Sequence, residues 1–150
     1  MRDGGEAFQL IELLRMNVNY AGDEFREKLV SGMSAIIEND DPYLIHCTEG
    51  KDRTGFVCML IEALCGATYD EIEKDYMITY KNYYGITKET DPQKYTIIVE
   101  HVLKPMVNFF VGDEDIELET ADLSKYAEQY LIDSGMTKEQ IAEFLAKITK

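Results

Sequence analysis

The sequence has 150 residues, 45% of them hydrophobic, with 29 acidic residues against 15 basic ones and a formal net charge of -14. That length suits one domain with its own core. The charge excludes general binding to nucleic-acid backbones and electrostatic docking on anionic membranes, because both need a basic footprint, while a local positive pocket for a small anion stays compatible with it.

In chain order, residues 6–15 (EAFQLIELLR) predict a short amphipathic helix, and an Asn/Tyr/Gly break follows at 17–22. Over 23–39, Phe25, Leu29, Met33 and Ile36 recur at helical spacing, and Asp40-Asp41-Pro42 stops the pattern. The run YLIHC at 43–47 is short, apolar and bounded by Pro42 and a Gly-containing turn, so it reads as a buried parallel strand. Residues 53–65 (RTGFVCMLIEALC) are apolar on nearly every helical face, which predicts a central helix ended by Gly66. Thr68 and Glu71 form a capping box for a helix over 69–84. Asp91-Pro92 opens another helix reaching about residue 110, which Pro105 should kink or divide. An acidic connector at 112–119 reads as solvated surface. Helices at about 120–134 and 138–148 follow, the last with Thr137 and Gln140 as its capping box.

One strand cannot satisfy its backbone alone. The weak strand candidates are 16–20 (MNVNY) and 107–111 (VNFFV). The expectation is therefore that the sheet partners lie upstream and that this chain is a C-terminal portion, associating with an N-terminal segment.

Cys47, Cys58 and Cys65 form no paired framework, and an odd count points to a reducing compartment, hence the cytoplasm. No stretch approaches the roughly 20 apolar residues of a membrane helix, and MRDGGEAF lacks the apolar region of a signal peptide. Cys58 and Cys65 sit seven apart in an apolar helix and read as core. His101, within IIVEHVLKP, reads as an ordinary helix residue. No four-ligand spacing suggests zinc, and the GxxxxGK[ST] pattern of nucleotide-binding loops is absent.

The chemistry is concentrated in residues 46–55, HCTEGKDRTG. Cys47 and Arg53 are six apart, joined by small or polar residues, with a strand leading in and a helix leading out. Folded as a cradle, the amides of Thr48, Glu49, Gly50, Lys51, Asp52 and Arg53 converge on one point, and the helix adds its positive end. Such a site suits a tetrahedral oxyanion and favours the thiolate of Cys47, a nucleophile aimed at phosphorus. Arg53 presents a planar fork to two phosphoryl oxygens. Thr54 places a hydroxyl near the sulfur, Gly50 permits unusual torsions, and Gly55 lets the exit helix pack closely. His46 points to the opposite face of the strand and shapes the loop through backbone contacts. Lys51 adds a flexible positive charge at the mouth.

The decapeptide resembles the signature loop of the cysteine-dependent phosphatases, the protein tyrosine phosphatase superfamily. Its GKDRTG ending is similar to the atypical bacterial and fungal members, which also accept phosphoserine, phosphothreonine or phosphoinositides. The match is strongest over 43–66 and looser through 67–84. The resemblance implies an α/β fold with a central, mostly parallel sheet flanked by helices, and one phosphatase domain over 1–150. It implies hydrolysis of phosphomonoesters through a phosphocysteine on Cys47, with Arg53 on the phosphoryl group. The substrate would be a phosphorylated protein, phosphotyrosine first, with a phosphoinositide as alternative; a non-catalytic phosphate-binding module is the other reading. No metal or cofactor is required. Asp52 stands where atypical members carry an in-loop aspartate implicated in acid–base work or in orienting the arginine, with a residue upstream of this sequence as rival for the proton. Asp40 and Asp41 lie at the wrong end of the strand, and Asp75 would have to reach across. Glu49 departs from the family pattern: outward it discourages acidic ligands, inward it weakens anion binding. The region 68–84 resembles a lid helix. Its Tyr76, Tyr80 and Tyr84, at spacing of four with Tyr83 beside them, either pack on the domain or line an entrance for an aryl or lipid substrate.

Overall fold

The computed structural model describes residues 19–47 and 50–149. The predicted helix at 6–15 lies outside them. The described residues form seven α-helices: α1 (Asp23–Glu38), α2 (Arg53–Leu64), α3 (Tyr69–Tyr84), α4 (Pro92–Ile98), α5 (Lys104–Val111), α6 (Leu123–Asp133) and α7 (Lys138–Ile148). No described helix is long and apolar enough to cross a membrane.

Helix α2 is the axis of the packing, as its all-round apolar sequence requires. Phe56, Met59, Leu60, Ala63 and Leu64 are buried, and α2 packs against α3, α5 and α6, while α1 packs against α7. The Phe56 ring collects aromatic neighbours from distant elements: Tyr20 stacks on it at 4.3 Å, and Phe25, Phe110 and Tyr130 meet it edge-on. The Tyr130 hydroxyl donates a hydrogen bond to the Tyr20 carbonyl. Offset and edge-on ring pairs of this kind add to the stabilisation from area burial alone. At the far end, Lys147 Nζ donates to the Asn39 carbonyl at 3.0 Å and lies 3.6 Å from the Asp40 carboxylate. The last helix is thus tied to the segment that enters the loop.

The caps follow the sequence. Thr68 with Glu71 and Thr137 with Gln140 both close reciprocal capping boxes, and the Asp91 side chain accepts from the Lys94 amide above Pro92. The divided helix also appears. A π-helical stretch, Val99–Leu103, joins α4 to α5, with the Lys104 amide bonded to the Val99 carbonyl five residues back. It sits just before Pro105, whose ring would meet the carbonyl of the preceding turn and which has no amide to donate.

The expectation of an α/β fold with a central parallel sheet is overturned. Among the described residues there is no strand. Residues 43–47 belong to no regular element, and Leu44 is 85% exposed rather than buried. The candidate partner 107–111 is part of helix α5. Of 16–20, residues 16–18 lie outside the described residues, and Tyr20 belongs to a turn. An apolar run becomes a buried strand only when other chain segments supply hydrogen bonds along its edges. Here the surrounding sequence is committed to helices by its caps and its 3.6-residue periodicity, so the core is helix on helix.

Candidate active site

The run 43–47 ends in Cys47, a half-buried free thiol. Thr48 and Glu49 lie outside the described residues. Gly50 has φ +71°, a left-handed conformation that costs any side chain with a Cβ. Lys51 and Asp52 are buried, and Arg53 is exposed at the first position of α2.

The first intrahelical bond of α2 runs from the Phe56 amide to the Asp52 carbonyl at 2.8 Å. The amides of Arg53, Thr54 and Gly55 therefore precede the helical ladder, at the positive end of the helix dipole. The Asp52 side chain does not cap the helix. Thr54 Oγ1 is buried and has no hydrogen-bond partner among the described residues. Gly55 is held against α3: a Cβ there would stand 3.1 Å from Cε2 of Tyr76. That close approach is the structural reason for a glycine in the first turn of α2.

The tyrosines of α3 form a row. Ring centroids are 5.7 Å apart for Tyr76 and Tyr80, and 5.7 Å apart for Tyr80 and Tyr84. Tyr76 and Tyr80 are core residues, whereas Tyr83 and Tyr84 are exposed. The Lys51 ammonium lies over two of these rings, 5.4 Å from Tyr80 and 5.7 Å from Tyr84. His46 is exposed and lines an apolar groove of about 610 Å³ between α1 and residues 42–46, which also takes in Phe25, Met33, Leu44 and Val57.

Behind the turn lies a cavity of about 80 Å³ bounded by Gly50, Gly55, Cys58, Glu62, Asp75 and Thr79 among others. Sequence reasoning missed what it contains. Burial, then a hydrogen bond and the charge of Asp75, push the Glu62 carboxyl up to about 8. Glu62 is thus favoured in its protonated form, hydrogen-bonded to Asp75 across the α2–α3 contact. Burial raises the Cys58 thiol first, and the charges of Glu62, Asp75 and Cys47 raise it further. Cys65 is raised by burial and by Glu62. Both thiols are thereby held in the protonated, less nucleophilic form. The signal that could have found the pair is Glu62 itself, the one acidic residue in an otherwise apolar helix.

Lys51 meets Tyr80 and Tyr84, and Gly55 meets Tyr76, while His46 lies on the groove. Arg53 stands at the start of α2, six residues after Cys47 in the sequence. Residues 3–150 match the family model described as the tyrosine phosphatase family. No curated protein and no solved structure matches the chain.

Proposed function

The chain belongs to the tyrosine phosphatase family, and on that premise we propose that it hydrolyses phosphomonoesters through a phosphocysteine on Cys47, with protein phosphotyrosine as the substrate class. The observation that carries the proposal is the sequence spacing of Cys47 and Arg53, six residues apart, with Arg53 at the N-terminus of α2. The GKDRTG ending supports a place in the atypical branch.

In the first step the Cys47 thiolate attacks phosphorus and the bond to the leaving oxygen breaks. That oxygen takes a proton from Asp52, the proton handler in this reading. The Arg53 fork and the amides at the start of α2 hold the charge that spreads over the phosphoryl oxygens. In the second step water attacks phosphorus and gives its proton to Asp52. The sulfur–phosphorus bond breaks, inorganic phosphate leaves, and the thiolate is restored. The spare Thr54 hydroxyl is suited to donating a hydrogen bond to the departing sulfur.

The test is the Cys47→Ser variant with an aryl phosphate. Turnover should be lost while the helical circular dichroism is unchanged, and rapid quench of the native protein should give an acid-labile mass increase of one phosphoryl group on Cys47. Undiminished turnover in the variant would remove the mechanism.

A further inference from the structure

The chain leaves α1 through Asn39, and three hydrogen bonds meet there. The Asn39 side-chain amide donates to the Ala35 carbonyl in the last turn of α1, at 2.7 Å. Its backbone carbonyl accepts from the Tyr43 hydroxyl at 2.7 Å and from the Lys147 ammonium at 3.0 Å. A carbonyl oxygen has two lone pairs, so these two donors fill it. One comes from four residues ahead in the same segment, the other from α7, 108 residues away in the sequence.

The position of Lys147 has an electrostatic reason. The C-terminal end of a helix is negative and leaves carbonyls without intrahelical donors. Helix α1 has no basic residue in its last turn, and Lys147 of α7 supplies the cation that α1 lacks. Lys147 also stands 3.6 Å from the Asp40 carboxylate, but that carboxylate is 98% exposed, and an ion pair in solvent contributes little. The bond to the Asn39 carbonyl is the specific contact.

Beyond Tyr43 the chain is held less closely. Leu44, Ile45 and His46 belong to no regular element and are exposed. Together with Pro42 and Tyr43 they form one side of the groove whose other side is α1. Exposed side chains over a groove gain little from burial, so contacts at the start of the segment weigh more in fixing it.

We infer that residues 42–46 are a strap fastened at its upstream end on the Asn39 carbonyl, with Tyr43 and Lys147 as the two fasteners. Through this node the last helix positions the segment that bears Cys47. The inference goes beyond the phosphatase reading and does not need it, because it concerns how Cys47 is held and not what Cys47 attacks.

The experiment is limited chymotrypsin digestion of the full chain, for the native protein, Lys147→Met, Lys147→Arg and Tyr43→Phe, with cleavage after residues 43 and 44 timed by mass. A protease needs a released length of chain, so this cleavage counts the open strap. Lys147→Met and Tyr43→Phe should each speed it about three- to tenfold, the scale of one hydrogen bond. Lys147→Arg keeps a cationic donor and should stay close to the native rate. Labelling of Cys47 by a bulky maleimide should speed up in step, while labelling of the exposed Cys65 at the end of α2 stays constant. Native-like cleavage in Lys147→Met or Tyr43→Phe would overturn the strap, and so would an equal rise at sites within α2, which would mean general loosening. Faster cleavage without faster Cys47 labelling would overturn the positioning of the thiol. No readout involves phosphate-ester turnover, so a protein without turnover would remove the phosphatase reading and leave the strap standing.

Discussion

Glu62 carries a proton that the unfolded chain would have given up. Its carboxyl is pushed up to about 8 in the fold from an ordinary value of 4.5. The folded state therefore binds more protons than the unfolded state between those two values, and stability falls as pH rises through that window. The contribution is complete below about 4.5, declines across the window and is gone above about 8. Glu62→Gln keeps a hydrogen-bonding group opposite Asp75 without a titrating proton. Urea melts at pH 5, 6.5 and 8 should show a flatter pH dependence for the variant, with its advantage over the native protein greatest at pH 8. Parallel curves would show that the Glu62 proton does not contribute to stability. At this scale Cys47 and Arg53 could be proposed from sequence because they lie within one contiguous decapeptide. The Glu62–Asp75 pair could not, because its two halves are thirteen residues apart on different helices and each alone looks ordinary.

Helix α3 supplies Asp75, Tyr76, Tyr80 and Tyr84 to the site, so its entry is worth measuring. The Glu71 amide donates to Thr68 Oγ1 at 3.3 Å, and the Thr68 amide donates to Glu71 Oε2 at 2.8 Å. Thr68→Ala opens this box and should cost about 1 kcal/mol, read as a lower urea midpoint with an unchanged slope. No loss would mean that the core face of α3 alone fixes its start. Elements of this kind were readable because capping residues and periodicity are local signals. The run 43–47 was misread as a buried strand for the opposite reason. Burial of a strand depends on what lies beside it, and Leu44 and Ile45 look the same in sequence whether or not a neighbour pairs with them. The π-helical stretch is intermediate: Pro105 announced a disturbance, while its form depended on how α4 and α5 both keep a face on the core.

Across the whole molecule, a formal charge of -14 surrounds a segment that carries two cations, Lys51 and Arg53, two residues apart. The family match over residues 3–150 was foreshadowed by the decapeptide, while the architecture expected with it was not what the described residues display. The turn also joins two very different parts of the fold: the irregular run that brings Cys47 and the central helix that begins with Arg53. This junction has a consequence for amide hydrogen exchange. The amides of 57–64 sit in the helix against which α3, α5 and α6 all pack, so they should exchange only when the entire molecule opens, with protection equal to the global unfolding free energy. The amides of 44–46 should exchange orders of magnitude faster. Equal protection on both sides of the turn would contradict this arrangement. If the gradient is found, Cys47 and Arg53 are anchored to opposite ends of the molecule's stability spectrum, and loss of structure under mild denaturant should begin on the cysteine side, before any helix is lost.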